Sequence, residues 1–280
     1  MHKLPEYTQY HNETNIALLD NSSIAFLQQL KRFGFASETL LSNYDVILVP
    51  NWVLEEVCDS QYREDFINDL VDFGFPIYSI SEGKYSSFMG DEEINLYKIV
   101  QAAISQVAEL KKYLRQNVTR DDLLDLDESS VWLPLMHQNW PIPGSKTASG
   151  RTKKKNAGEI SLTILAEVLS WYYPMIQSLT VLTQDSDAYS FVGHAHTFLE
   201  KEFSDKIPIT VTYKSNDFML CQLFRSGKIL LSDVEQLRKD SRKVTYTQQR
   251  PDGSVALITE KLDNSAFGQL IQERSIQIIF

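Results

Sequence analysis

Three apolar runs in this 280-residue chain lead straight into acids. Ile16 to Leu19 is followed at once by Asp20, and Ser178 to Thr183 by Asp185 with Asp187 close behind. Val46 to Val49 passes through Pro50 into NWVLEEV, where Glu55 and Glu56 sit about 100° apart, so that one can face a crevice while the other faces water. A further acid, Glu159, opens the helical stretch EISLTILAEVLSWYY. A carboxylate at the carboxyl end of a buried parallel strand stands where such sheets bind ligands. Oxygen donors gathered from several strand ends suit a hard cation, Mg²⁺ or Mn²⁺, which keeps waters and is held by a few carboxylates plus a substrate phosphate. Such a cation makes a bound water nucleophilic and needs no Ser or His nucleophile. Each acid taken singly reads equally well as a helix cap or a surface group, since Asp, Asn and Ser are all good N-caps. Only their shared placement points to chemistry.

The elements that must position these acids alternate along the chain. Short β-branched and aliphatic runs at 16–19, 46–49, 76–80, 178–183 and 208–213 read as strands, and apolar-periodic segments between them read as helices. Strand, helix, strand in series predicts a parallel sheet with right-handed crossovers, hence a three-layer α/β/α body. Residues 91–116 carry one long helical pattern, read as an exposed arm or lid. Residues 243–259 alternate across Pro251-Asp252-Gly253 as a β-hairpin. Residues 1–14 are polar and read as a loose arm.

Composition bounds the rest. With 43% apolar and 23% charged residues the chain can bury a sizeable core. Two cysteines are too few for a disulfide framework or a cysteine zinc site, and no apolar stretch approaches a membrane span. The polar start lacks a signal-peptide core, so a cytoplasmic protein is expected. A net charge of −10 argues against a surface that coats nucleic acid, so any such contact must be local. The best local candidate is NWPIPGSKTASGRTKKKNA, residues 139–157, read as a mobile loop whose Lys146, Arg151, Lys153, Lys154 and Lys155 would meet a polyanion beside the acids. As a bare lysine-rich run it reads equally as a solvated surface loop. The acids Asp121, Asp122, Asp125 and Asp127 lack the glycine and terminal glutamate of a calcium loop and read as a solvated face. His194 and His196, two apart on a helix, lie on nearly opposite faces and cannot chelate one metal. The first turn has no glycine-rich phosphate cradle, and Asp20 is followed by Asn21 and Ser22 rather than by a second nucleophile-type acid.

Taken in order, LLDNSS, VPNWVLEEV, NAGEISLTILAE, VLTQDSDAYS and YKSNDFMLCQLFRSGKILLSDVEQL resemble the PIN domain family of metal-dependent nucleases over about residues 15–240. The resemblance implies a nuclease domain at 15–240 with an insertion near 85–157, preceded by the arm and followed by a small β appendage at 241–280. It implies Asp20, Glu56, Glu159 and Asp185 as the catalytic, metal-binding carboxylates, with Glu55 the fallback for Glu56 and Asp187 assisting. Asn21, Ser22 and Thr183 would orient ligands or water around them. The expected reaction is Mg²⁺- or Mn²⁺-dependent hydrolysis of a phosphodiester, leaving a 5′-phosphate and a 3′-hydroxyl, on RNA in preference to DNA. The family also implies a toxin or defence setting, with an antitoxin or regulatory protein as partner, and self-association. The alternative is a PIN-like binding module without catalysis.

Overall fold

The structure is a computed structural model that describes residues 4–119, 121–124, 131–147, 150–238, 241–250 and 252–279, with residues 186–189 described in their backbone course alone. The chain runs β1 (Asn15–Leu19), α1 (Asn21–Arg32), β2 (Val46–Pro50), α2 (Asn51–Val57), α3 (Gln61–Asp72), β3 (Ile77–Ile80), α4 (Glu93–Ala103) and α5 (Ala108–Asn117). It continues through α6 (Trp132–Gln138), β4 (Pro143–Lys146), β5 (Thr152–Lys154), α7 (Ala157–Tyr172), β6 (Ser178–Leu182), α8 (Ser186–Glu202), β7 (Val211–Lys214), α9 (Asn216–Arg225) and α10 (Leu231–Leu237). The last elements are β8 (Arg242–Gln249), β9 (Val255–Leu262), α11 (Asn264–Gln272) and β10 (Ile276–Ile278).

A five-stranded, all-parallel sheet in the order β3-β2-β1-β6-β7 forms the centre, as the alternation of strand and helix predicts. β1 and β2 are buried almost throughout, which is why they read as continuous apolar runs rather than alternating ones. Right-handed crossovers put α1 and α3, which contact each other, on one face, and the mutually packed α4, α7 and α8 on the other. α7 is buried around most of its circumference, from Ala157 to Trp171, and forms the spine of that second layer. The order also makes β1 and β6 neighbours, with Leu19 opposite Leu182, so the two strand ends that carry Asp20 and Asp185 lie side by side. A three-stranded antiparallel sheet, β10-β8-β9, forms the C-terminal appendage. Among the described residues, no helix is long and apolar enough to cross a membrane.

Three local expectations are corrected. Residues 91–116 are two helices, not one exposed arm. α4 ends at Ala103 and α5 begins at Ala108, while Leu96, Ile99, Val100 and Ala103 are buried against α7 and α8. The N-terminal arm is not loose. Glu6 bridges to Ser79 in parallel fashion, Tyr7 donates its N–H to the Ser79 carbonyl at 2.7 Å, and the Tyr7 ring stacks on Phe88. The basic stretch is a short hairpin, β4 with β5, tied down by ion pairs described below. Asp122 caps a local turn through the N–H and hydroxyl of Thr119, while Asp125 and Asp127 lie outside the described residues.

Candidate functional site

Asp20 ends β1 and serves as the N-cap of α1, in extended backbone geometry at φ −86° and ψ 155°. Its carboxylate is almost wholly buried at 7% exposure. Oδ2 accepts from the Thr183 hydroxyl at 2.9 Å, from the Ser22 hydroxyl and from the Ser22 N–H at 3.3 Å. One carboxylate oxygen is thus fixed by protein donors. Burial nevertheless raises the Asp20 pKa, with the Ser22 and Thr183 hydrogen bonds opposing the rise.

Thr183 and Ser22 do more than hold this acid. The Thr183 hydroxyl accepts the Asp185 N–H at 3.0 Å, and the Ser22 hydroxyl accepts the Gln184 N–H at 3.0 Å. The turns after β1 and β6 are therefore stitched to each other across Asp20. A third turn joins them, because Gln184 Oε1 accepts the Asn216 N–H and Asn216 Oδ1 accepts the Ser23 hydroxyl.

Glu56 reaches the same crevice from α2. Its Oε2 accepts the Asn21 side-chain amide at 3.2 Å, while Asn21 Oδ1 accepts from Arg63 Nη1 at 2.8 Å. Arg63 Nη2 also donates to the Glu56 carbonyl at 3.2 Å. Burial raises the Glu56 pKa first and the Asp20 charge raises it further, while Lys153 lowers it. Glu55, the fallback for this position, turns the other way. It pairs with Arg151 at 3.3 Å and Lys154 at 3.6 Å, so of the two acids Glu56 is the one beside Asp20.

Glu159 lies in the first turn of α7. Its pKa is pushed up to about 8, first by burial and then by the charges of Asp20, Asp185 and Glu56. This single group feels all three other acids, two from the turns after β1 and β6 and one from α2. The start of α7 packs on α2 at ordinary contact distance: a Cβ at Gly158 would stand 3.4 Å from Val53 Cγ2 and 3.5 Å from Glu56 Oε1. Asn156, which precedes the helix, takes the left-handed conformation at φ 61° that an asparagine tolerates better than most residues. The Asp187 side chain lies outside the described residues.

Among the described residues, no group of three or more His, Cys, Asp or Glu side chains is drawn tightly enough to hold a metal ion. The mutual pKa effects are consistent with that looser spacing. Charge interaction reaches much farther than a coordination bond of about 2.0–2.1 Å.

Of the five cations in the basic stretch, three are engaged by carboxylates of the α2 region. Arg151 pairs with Glu55 at 3.3 Å and Asp59 at 2.9 Å, Lys153 with Asp59 at 3.8 Å, and Lys154 with Glu55 at 3.6 Å. Lys146 and Lys155 are exposed, and among the described residues neither is paired with a carboxylate. The hairpin is further seated on aromatic side chains. The Trp140 indole donates to the Lys155 carbonyl, Lys154 bonds the His137 ring, and His137 stacks on Trp52 at 4.4 Å and 5°. Burial, reinforced by Lys154 and Arg151, lowers the His137 pKa to about 3, so the ring is neutral.

Sequence reasoning named every acid in the cluster but missed Arg63 and Asn216. Arg63 looks like any charged position of an amphipathic helix, and only the packing of α3 beside Asn21 gives it a role. Comparisons with protein-family models, with curated proteins and with solved structures gave no match, so the reading of this site rests on its own geometry.

Proposed function

We propose that this protein is a Mg²⁺- or Mn²⁺-dependent phosphodiesterase that hydrolyses the backbone of single-stranded nucleic acid, RNA in preference to DNA, as its resemblance to the PIN nucleases implies. The observation that carries the proposal is that Glu159, at the buried start of α7, lies within reach of the charges of Asp20 and Asp185 from two strand ends and of Glu56 from α2, which with burial push its pKa up to about 8. Like charges gathered in a desolvated crevice destabilise one another, and a divalent cation relieves that strain. The donor set fits such a cation. It is all oxygen, and its members would be Asp20, Glu56, Glu159 and Asp185. When bound, the cation supplies a more acidic water and stabilises charge on the phosphate during in-line displacement.

The chain's own residues prepare that chemistry. Ser22 and Thr183 fix the Asp20 carboxylate, while Arg63 and Asn21 fix Glu56, so two of the four acids are oriented before anything binds. Glu159, at the start of α7, holds a proton on its carboxyl at neutral pH and can release it when positive charge arrives. Lys146 and Lys155 offer exposed charge to a polyanion near the crevice.

The test is cleavage of labelled single-stranded RNA and DNA with Mg²⁺ or Mn²⁺, alongside Mn²⁺ titration calorimetry. Asp20→Asn should abolish cleavage while the folded state persists, and Thr183→Val should reduce activity or metal affinity by about 10–100-fold. Folded protein that cleaves neither substrate and takes up no Mn²⁺ would overturn the proposal. That result would favour the second reading, a binding module without catalysis, which the absence of a tight acidic triplet among the described residues supports.

A further inference from the structure

The two edges of the central sheet are treated differently. Along β3, the chain's own residues 5–7 lie in strand fashion, with the Ser79 N–H bonded to the Pro5 carbonyl at 2.9 Å and the Tyr7 N–H to the Ser79 carbonyl at 2.7 Å. Along β7, among the described residues, no strand covers the outer side. The Lys214 carbonyl accepts the Thr183 N–H, so backbone alternation turns the N–H and C=O of Val211 outward.

Beside this edge lies a groove of about 990 Å³ between α8 and β7. Its walls include apolar Val192, Phe198, Ile209 and Val211, and Ile207 stands 89% exposed nearby. The charge of the groove is one-sided. Lys201, His194 and His196 line it, and among the described residues no Asp or Glu does. Of the acids on the same helix, Glu202 pairs with Lys98 at 3.5 Å, Glu200 lies outside the lining, and the Asp187 side chain lies outside the described residues. His196 is held in place from behind. Its Nδ1 is 3.4 Å from Oε2 of the fully buried Glu167, which also accepts the Trp171 indole N–H at 2.8 Å. That contact raises the His196 pKa and favours its charged form.

We infer that the α8–β7 groove is a docking site for an extended, acidic segment of a partner protein, added to the sheet as a sixth strand beside β7. Edge pairing supplies affinity through main-chain hydrogen bonds, and alternate side chains entering a groove supply selectivity. Here the apolar walls take β-branched side chains and the Lys201 end takes carboxylates. Residues 5–7 on β3 are the same arrangement made within the chain. The inference is independent of the acidic crevice and of any hydrolysis.

The test uses two labelled peptides of alternating valine and threonine, one ending in aspartates and the other in lysines, with anisotropy read in EDTA so that the metal-dependent reading plays no part. The aspartate peptide should bind saturably and at least about tenfold more tightly than the lysine peptide. Val211→Pro should abolish binding without unfolding, because its N–H points away from β6 and proline is tolerated at the first residue of an edge strand. Lys201→Glu should reverse the preference between the peptides. Equal affinity for the two peptides, or full binding by Val211→Pro, would overturn the inference. A concentration-dependent dimer in sedimentation that Val211→Pro dissociates would also overturn it, by assigning the edge to a second copy of this chain.

Discussion

Two buried charge clusters in this protein are built on opposite rules. Around Asp217 in α9, the chain balances its own charge. The carboxylate, 1% exposed, receives Arg238 Nε at 3.1 and 3.2 Å and is also bonded by Arg242. Arg238 is wholly buried, donates to the Leu262 carbonyl at 2.9 Å and lies over the Phe267 ring. This knot fastens the β8–β9 sheet and α11 to the main body. Around Asp20, by contrast, four acids converge, and the charge of Lys153 offsets only part of the rise in the Glu56 pKa. Arg63 is spent on Asn21 and a carbonyl, and Lys153 is paired with Asp59. The Asp217 knot lowers the free energy of the folded chain relative to breaking it, while the Asp20 cluster raises it. A chain that tolerates the second arrangement beside well-packed strands has given stability up at one place, a pattern that marks functional sites.

The contrast can be broken most sharply at the knot. Arg238→Met leaves Asp217 buried beside Arg242 alone and should cost ~3–5 kcal/mol in urea denaturation. A loss under ~1 kcal/mol would mean that the knot contributes little. At the other cluster, added Mn²⁺ should stabilise by about 3 kcal/mol once it exceeds its dissociation constant a hundredfold, read as a rise in Tm. Asp20→Asn should remove that rise, and an equal rise in the variant would place the cation elsewhere.

The pH dependence of the acidic cluster has a definite sign. The folded-state pKa of Glu159 is raised from 4.5 to about 8, so its contribution to stability is full below pH 4.5 and is lost as pH climbs toward 8. In EDTA at pH 8, Glu159→Gln should therefore stabilise by ~1–3 kcal/mol, allowing for its partial exposure, and the gain should vanish near pH 4.5. A gain that is flat with pH would trace to packing instead. The smallest effect belongs to the hairpin, where Arg151→Ala breaks exposed ion pairs and should change stability by only ~0.2–1 kcal/mol.

Much of this architecture was legible in the chain, for reasons that particular residues make plain. β1 and β2 were readable because strands buried on both faces are continuous aliphatic runs, and Asp20, which closes the first of them, stood out for the same reason. β7 was harder to bound. It begins at Val211 rather than at Pro208, because Ile209 spends its backbone on Ser170 of α7 instead of on the sheet. The break between α4 and α5 carries no glycine or proline, so periodicity alone ran through it. The hairpin looked mobile because prolines, glycines, small polar residues and five basic residues make up its stretch, while the acids that pin it, Glu55 and Asp59, lie about ninety residues away in sequence. Long-range pairing of charge is invisible to any local window. The coupling of the four acids is the same kind of fact, since only sheet order makes Asp20 and Asp185 neighbours.

The segment that lies along β3 has a practical consequence. Residues 5–7 occupy the edge at Ser79 that could otherwise pair with a stranger, and Leu4 and Tyr7 anchor the segment at 8% and 4% exposure. Cleavage or fusion that peels it away would turn a closed edge into a template for aggregation. An affinity tag or reporter therefore belongs near the β9 face, where Val255 and Leu257 already meet solvent, and not at the front of the chain.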